Sequence, residues 1–282
     1  MTRVVRTRAE LRAALEGASR PVGVVPTMGW LHAGHRSLMQ RARAENATTV
    51  VTIFVNPRQF GDLKDLEQYP RNEVRDVAIC EEEGVDLVFA PSVAEVYPPG
   101  FQTTVRLGPI AEPLEGAARP GHFEGVATVV AILFDVVGAE HAYFGQKDAQ
   151  QVLVVRRMAT DLAIPTEVIA LPTVREPDGL ALSSRNVHLS AEERAAAPVL
   201  RRALVAARDL WLAGERSGDM LRGRMREILA TEPLGDVDYV SVADLDALRE
   251  LDVVDRPALA SLAVRFGSTR LIDNEILATA ST

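Results

Sequence analysis

Between residues 21 and 171, short apolar runs rich in β-branched residues alternate with stretches of helical character, and this alternation constrains the fold more than any other feature of the chain. The runs cover 21–25, 48–55, 85–90, 141–144 and 166–171; Asn56-Pro57 stops the second and Pro91 the third. Helical stretches over 36–46, 71–83, 126–137 and 148–162 fill the intervals, two of them ended by Gly84 and Gly138. Strands separated by helices of this length predict βαβ units and a mainly parallel sheet. Ligands of such sheets sit outside the carboxyl ends of the strands. That rule brings together three loops, 26–35, 56–61 and 145–151, that are far apart in the chain.

After about residue 186 the pattern changes. Ser190-Ala191-Glu192-Glu193 has the form of a capping box, with Ser190 as N-cap and Glu193 at the third helical position. Alanine-rich helices are predicted over 191–213 and 218–231, followed by strand-like runs over 237–242 and 262–266. The expected result is a smaller α+β domain, with the boundary in the polar stretch 173–189.

Composition narrows the function classes. The 282 residues, 47% of them hydrophobic, suffice for a substantial core in one large domain or two modest ones. A net charge of −8 makes the chain a poor general binder of nucleic acid, whose phosphates need clustered cations. The single cysteine, Cys80, excludes an intrachain disulfide and a cysteine–zinc framework, and is read as a small buried side chain rather than a catalytic thiol. No apolar run reaches the ~18 residues of a membrane helix. The first residues, Met1-Thr2-Arg3-Val4-Val5-Arg6, lack the apolar stretch of a signal peptide. Together these features predict a cytoplasmic protein that binds neither membrane nor nucleic acid.

The first loop reads Pro26-Thr27-Met28-Gly29-Trp30-Leu31-His32-Ala33-Gly34-His35, with two histidines three apart where a strand gives way to a helix. A helix N-terminus offers free N–H groups and the positive end of a dipole, which attract phosphate. Gly34, without a Cβ, lets a triphosphate come close. Beside that dipole end the imidazoles are expected to be neutral hydrogen-bond donors. In the second loop Gln59 offers an uncharged donor and acceptor, suited to orienting a hydroxy acid without neutralising it. The third, Gly145-Gln146-Lys147-Asp148, is a glycine turn entering a helix without P-loop spacing. Lysines number only two, Lys64 and Lys147, among 31 basic residues. Lysine at 147 therefore points to a need for a compact, flexible ammonium. A fourth segment, 174–186, carries the turn Pro177-Asp178-Gly179 and then Leu182-Ser183-Ser184-Arg185, whose hydroxyls and guanidinium can wrap phosphates. His122, His141 and His188 are read as structural, and Trp30 and Trp211 as packing groups.

The His-Ala-Gly-His turn resembles the HxGH signature of the nucleotidyltransferase superfamily, which includes the class I aminoacyl-tRNA synthetases. The longer string PTMGWLHAGH resembles the pantothenate synthetase version. Five further segments agree in order and spacing: 54–60, Tyr69-Pro70-Arg71, 119–126, 144–151 and 182–186. The resemblance spans nearly the whole chain. It implies that Met28, Gly29, Trp30, Leu31, His32, Ala33, Gly34, His35, Gly145, Gln146, Lys147, Asp148, Val174, Leu182, Ser183, Ser184 and Arg185 bind ATP. It implies that Gln59 and Gln151 bind pantoate, that Gln59 later contacts β-alanine, and that 174–186 is the counterpart of the KMSKS loop. His32, His35, Lys147 and Arg185 take the catalytic roles, with His35 as proton donor, and no side chain is assigned as a metal ligand. The chain departs from the family pattern at Leu182, where methionine is usual, at Ala33, where glutamate is usual, and at Ala149, where many members carry tyrosine.

The expected architecture is α/β: a Rossmann-like, mainly parallel sheet domain over 1–173 that binds nucleotide and pantoate, and a smaller C-terminal α+β lid and clamp domain over 174–282. The expected reaction joins pantoate to β-alanine through pantoyl-adenylate, releasing AMP and pyrophosphate, with ATP and Mg²⁺ as reactants and a homodimer as the assembly. Two other readings use the same motifs. A nucleotidyltransferase passing AMP or CMP to a phosphorylated acceptor would want cations where this chain offers Gln59 and Gln151. A non-catalytic nucleotide sensor would not need His35, Lys147 and Arg185 together.

Overall fold

The computed structural model describes residues 2–61 and 63–278. Contacts divide the chain into two compact units, Met1–Gln146 with Gln150–Pro172, and Lys147–Ala149 with Thr173–Thr282.

The first unit runs β1 (Arg3–Val5), α1 (Arg8–Leu15), β2 (Val22–Thr27), α2 (Ala33–Glu45), β3 (Thr48–Ile53), α3 (Leu63–Gln68), α4 (Glu73–Glu82), β4 (Leu87–Phe89), α5 (Val93–Val96), α6 (Glu115–Ala118), α7 (His122–Val137), β5 (His141–Gly145), α8 (Ala149–Asp161) and β6 (Glu167–Leu171). The strands form one parallel sheet in the order β1-β4-β3-β2-β5-β6. Both faces are covered, which is why the central strands are apolar almost throughout. Val22, Val24, Val50, Phe89 and Phe144 pack with α7 and α8 residues such as Val130, Phe134 and Val155. Their neighbours Val25, Val51, Val88 and Tyr143 point the other way, onto Leu38, Met39, Ile79 and Cys80 of α2 and α4. From β2 the chain builds outward on one side through β3 and β4, then returns to place β5 on the other side. The order therefore reverses between β2 and β5, the topological switch point where such sheets bind ligands.

The alternation thus gives the parallel α/β sheet it predicts, with differences at the edges. The helix expected over 36–46 starts at Ala33 with His32 as its N-cap, and that expected over 126–137 starts at His122. β1 and α1 were not anticipated. β1 is a three-residue edge strand, too short to show a period. α1 did carry a signal, since Thr7 and Glu10 form a capping box.

The second unit contains α9 (Ala191–Ala196), α10 (Val199–Leu212), α11 (Gly218–Leu229) and the antiparallel strands β7 (Gly235–Asp244), β8 (Ala258–Phe266) and β9 (Thr269–Leu277) in the order β7-β8-β9. One sheet face, including Val240, Val242, Leu262 and Phe266, packs with Leu200, Leu204, Leu221 and Met225 of α10 and α11. This is the α+β arrangement expected. The capping box at Ser190 is present. The continuous helix expected over 191–213 is instead interrupted at Ala197-Pro198, because proline lacks the N–H that would continue the ladder and its ring crowds the preceding turn. β9 was missed because polar Asp273, Asn274 and Glu275 hide its period.

Candidate active site

Three adjacent parallel strands of the first unit, β3, β2 and β5, carry three of the sequence-predicted groups at their carboxyl ends. Thr27 ends β2, and Met28–Leu31 lead into α2. Gly29 and Trp30 both adopt positive φ, 82° and 51°; the second is unusual for a bulky residue. What holds this turn is Asp76 of α4, only 1% exposed. Its carboxylate accepts the N–H groups of Trp30 at 2.7 Å and Leu31 at 2.8 Å. Arg75 donates to the Leu31 carbonyl at 2.8 Å and lies over the Trp30 ring, 5.2 Å from its centroid. A Cβ on Gly29 would come 2.9 Å from Asp76 Oδ2, so glycine answers both the backbone angle and the close approach.

The two histidines then cap α2 in place of the usual short polar residues. His32 Nδ1 accepts the Gly34 N–H at 3.1 Å, and His35 Nδ1 accepts the His32 N–H at 3.2 Å. A ring nitrogen that accepts cannot carry the proton, so in each neutral imidazole Nε2 is the N–H donor. The rings lie 4.1 Å apart, centroid to centroid. The arrangement supplies two oriented donors beside a helix N-terminus, where anions bind.

Gln59 closes the 3-10 turn Pro57–Gln59 after β3 and is buried. Its amide orientation follows from its neighbours. Asn56 Nδ2 must donate to the Gly125 carbonyl, 3.0 Å away, while Asn56 Oδ1 accepts from Tyr97 Oη at 2.8 Å and from the Arg58 N–H at 3.2 Å. Burial pushes the Tyr97 phenol up to about 12, so it stays a donor. Asn56 Nδ2 therefore also donates to Gln59 Oε1 at 3.0 Å, which fixes the amide orientation of Gln59 and leaves Nε2 as its donor end. The Gln59 carbonyl is held in turn by His122 Nδ1–H at 2.9 Å and by Arg119 at 3.3 Å. A Cβ on Gly125 would meet the Arg58 carbonyl at 2.3 Å, so glycine alone lets α7 approach this turn. His122, read as structural from the sequence, positions Gln59.

Gly145 ends β5, and Gln146 opens the next 3-10 turn. Of the two adjacent glutamines in the first turn of α8, Gln150 is buried and spent on the 110–115 segment: it accepts from the Glu115 N–H at 3.0 Å and donates to the Ile110 and Pro113 carbonyls at 3.1 and 2.9 Å. Gln151 is half-buried and committed to no such bond.

In the second unit, Lys147 and Ser183 line one shallow recess together with Ala181, Asn186 and Asp273. Lys147 Nζ lies 3.7 Å from Asp148 Oδ1. Val174 accepts the Leu182 N–H at 3.0 Å, so 174–182 folds as a tight hairpin. Ser183 caps the 3-10 turn Ser184–His188 through the Arg185 N–H at 3.2 Å, and Arg185 is exposed. At the turn of the hairpin, a hydrogen bond from Arg194 holds the Asp178 carboxyl below its ordinary value.

Sequence reasoning did not single out Asp76, Arg75, Asn56, Tyr97, Asp273 or Asn274, each of which hydrogen-bonds residues of these segments. Cys80 is fully buried and its thiol is pushed up to about 12 by burial, so it is no thiolate. His141 bonds Asn46 at 2.7 Å, and Trp211 is a core residue. Among the described residues, no group of three or more His, Cys, Asp or Glu could hold a metal ion, and no helix is long and apolar enough to cross a membrane.

The family model described as Pantoate-beta-alanine ligase matches residues 3–276. A pantothenate synthetase from Roseiflexus castenholzii is 62% identical over 275 residues, 98% of this chain and 99% of the relative. One from Chloroflexus aggregans is 59% identical over 275 residues, 97% and 99% of the two chains. Among solved structures, a pantothenate synthetase from Thermus thermophilus superposes with a TM-score of 0.94 at 52% identity, covering 99% of this chain and 100% of that one. The Francisella tularensis ligase, complexed with beta-gamma ATP and beta-alanine, gives 0.80 at 31% identity and covers 99% of both chains.

Proposed function

The chain belongs to the pantoate–β-alanine ligase family and is an ATP-dependent ligase that condenses pantoate with β-alanine; we propose that it does so through a pantoyl-adenylate intermediate on the residues described above. In the first step a pantoate carboxylate oxygen attacks the α-phosphorus of ATP, and the bond to the β-phosphate bridging oxygen breaks to release pyrophosphate. In the second, the β-alanine amine attacks the acyl carbon, loses a proton and expels AMP, which keeps the oxygen that pantoate contributed. The observation that carries the reading is the pair of imidazoles capping α2, each with Nδ1 committed to a backbone N–H and Nε2 therefore the donor. Donors fixed in advance stabilise phosphate charge without reorganising during displacement.

Gln59 Nε2 and Gln151 hold pantoate, and Gln59 later meets β-alanine. The amide N–H of Gln59 suits a carboxylate or hydroxyl oxygen, and an uncharged donor leaves the attacking carboxylate nucleophilic. The other residues named for ATP, 28–35, 145–148, Val174 and 182–185, surround the nucleotide. Lys147 and Arg185 follow the departing pyrophosphate, and His35 donates a hydrogen bond from Nε2–H to a phosphate oxygen as charge builds. Magnesium ions usually arrive on substrate phosphates with one or two carboxylates. That chemistry fits this chain: Asp148 offers a half-exposed carboxylate on the Lys147 turn. When bound with ATP, Mg²⁺ neutralises part of the triphosphate charge.

We assign nucleotide and pantoate binding to residues 1–173 and the clamp and lid roles to 174–282, with Lys147 working alongside the clamp. An activated acyl group must be kept from water, which is the physical reason for a lid. The buried, unpaired Cys80 suits a reducing compartment, and we assign the enzyme to the cytoplasm as a homodimer. Sedimentation at the mass of one chain would overturn the dimer, and recovery outside the cytoplasm the location.

The reaction is tested with pantoate labelled by ¹⁸O in its carboxylate. Pyrophosphate should form with ATP, Mg²⁺ and pantoate alone, and labelled AMP should appear only after β-alanine is added. Pyrophosphate release that needs β-alanine, or unlabelled AMP, removes the adenylate. A nucleotidyl product without amine use would favour a transferase.

A further inference from the structure

We propose that Asp273 and Asn274, consecutive residues of β9, are positioning residues that hold Lys147 and the Ser183–Arg185 clamp in one frame; the inference rests on the ligase reading, in which both groups act on the same phosphates. Neighbouring side chains on a strand project to opposite faces, so two adjacent positions can grip two different segments. Both residues are buried, Asp273 at 2% exposure. Its carboxylate accepts both guanidinium arms of Arg175, at 2.7 and 2.9 Å. Arg175 also donates to the Gly179 carbonyl at 3.0 Å and bridges to Ala181 across the hairpin. The Ala181 carbonyl accepts Asn186 Nδ2 at 3.0 Å, which carries the hold into the 3-10 turn that bears Arg185.

Asn274 takes the other segment. Its N–H donates to Asp273 Oδ1 at 2.8 Å, and its Nδ2 donates to the Lys147 carbonyl at 2.9 Å. Lys147 thus groups with the second unit although the chain before it belongs to the first. Hydrogen bonds run from the Lys147 main chain through Asn274, Asp273 and Arg175 to the Gly179 carbonyl, in the hairpin that leads into the clamp. A bidentate Arg–carboxylate pair fixes orientation as well as distance, which an apolar contact at this place would not do. None of these links touches the substrates in the proposed reaction, so Asp273 and Asn274 act only through the groups they hold.

The test uses the full-length enzyme with Asn274→Ala and Asp273→Asn, and with Arg175→Lys, which keeps the charge and loses the fork. Pantoate-dependent pyrophosphate formation should fall by about 10- to 100-fold, the scale lost when reacting groups shift by an ångström or less. KM for pantoate should stay within about twofold, and chemically prepared pantoyl-adenylate should react with β-alanine at the wild-type rate. In a Lys147→Ala background, Asn274→Ala should cost little more, because the group it positions is gone. Arg175→Lys carries the clamp half of the test should Asp273→Asn fail to fold. Wild-type adenylation in Asn274→Ala and Arg175→Lys overturns the proposal. So does an equal loss in both half-reactions, or an Asn274→Ala loss that multiplies in full with Lys147→Ala. Wild-type adenylation in Lys147→Ala alone would instead sink the assignment of Lys147, a distinguishable result.

Discussion

The histidine turn and the Arg185 turn are assigned to the same triphosphate, yet the chain builds their surroundings in opposite ways. The histidine turn is over-determined: a buried carboxylate takes two of its N–H groups, Arg75 takes a carbonyl, and each imidazole is pinned through its own Nδ1. Arg185 sits exposed on a five-residue 3-10 turn, tied down behind it by Asn186 and, through the hairpin, by Arg175. The difference fits the order of events in the proposed reaction. Donors that meet the phosphates throughout work best when fixed in advance, since no reorganisation is needed as charge builds. A cation that follows departing pyrophosphate must move, and a long side chain on an exposed turn keeps the rotamer freedom to do so.

The sharpest way to break this contrast is to remove a donor from the histidine turn and the cation that works alongside the clamp. His35→Ala and Lys147→Ala should each slow adenylation by at least ~100-fold, as measured by pantoate-dependent pyrophosphate release, the scale lost with a single preorganised donor. A wild-type rate in either variant removes that residue from the mechanism. Next comes the support beneath the histidines. Asp76→Ala strands the N–H groups of buried Leu31 and half-buried Trp30; a buried one costs about 1–3 kcal/mol, so the unfolding midpoint should drop. The turn it releases holds Trp30 at positive φ, so adenylation should fall by roughly tenfold even where the protein is folded. An Asp76→Ala enzyme with full stability would mean that the turn holds itself, and the contrast between the regions would vanish.

Pantoate binding offers a smaller effect with a clear sign. Gln59 is oriented by Asn56 so that its amide oxygen is taken and its amide nitrogen is left as the donor end. Gln59→Ala should raise KM for pantoate by about tenfold while leaving KM for ATP near its original value, the loss of about 1.4 kcal/mol expected for a hydrogen bond to a charged group. Gln59→Glu should be worse than Gln59→Ala, because it turns a carboxylate oxygen toward the carboxylate of the substrate. Equal losses for both nucleotide and pantoate would contradict the division of the site, and a milder Gln59→Glu would contradict the amide orientation.

The parts of the molecule that the sequence disclosed are those whose cause is local. Central strands buried on both faces show it as runs such as 48–53, and turns bounded by Pro and Gly mark their ends. Ser190 and Glu193 announce a helix start because the capping box is made by residues three apart. His32 as an N-cap hid the true start of α2, since imidazole is outside the usual capping set. What stayed hidden depends on residues distant in the chain. Asp76 looks like any acid near the start of a helix until α4 is set beside the turn after β2. The facing of Gln59 is decided by residues 97 and 125, and β9 is polar because Arg175 and Arg201 pair with its acids. The candidate site residues themselves were named by resemblance. Their protonation and orientation came only from the bonds around them.

The smallest expected effect concerns Ala33, where the resemblance would have led one to expect glutamate. Ala33 is the first residue of α2, exposed, and sits between the two histidines. No acidic residue occupies the first turn of that helix. A carboxylate there faces the positive end of the dipole, so Ala33→Glu should stabilise the fold by about 0.3–1 kcal/mol at low salt, and the gain should shrink as salt screens it. If the histidine turn is as firmly held as its bonds indicate, adenylation should change by no more than about twofold, because a new exposed side chain disturbs neither the Nδ1 acceptors nor the Asp76 anchor. A large loss of ATP affinity would show that the negative charge reaches the phosphates. The side chain at position 33, and not its backbone alone, would then take part in the nucleotide pocket, and the rigid half of the site would be open to tuning from its own surface.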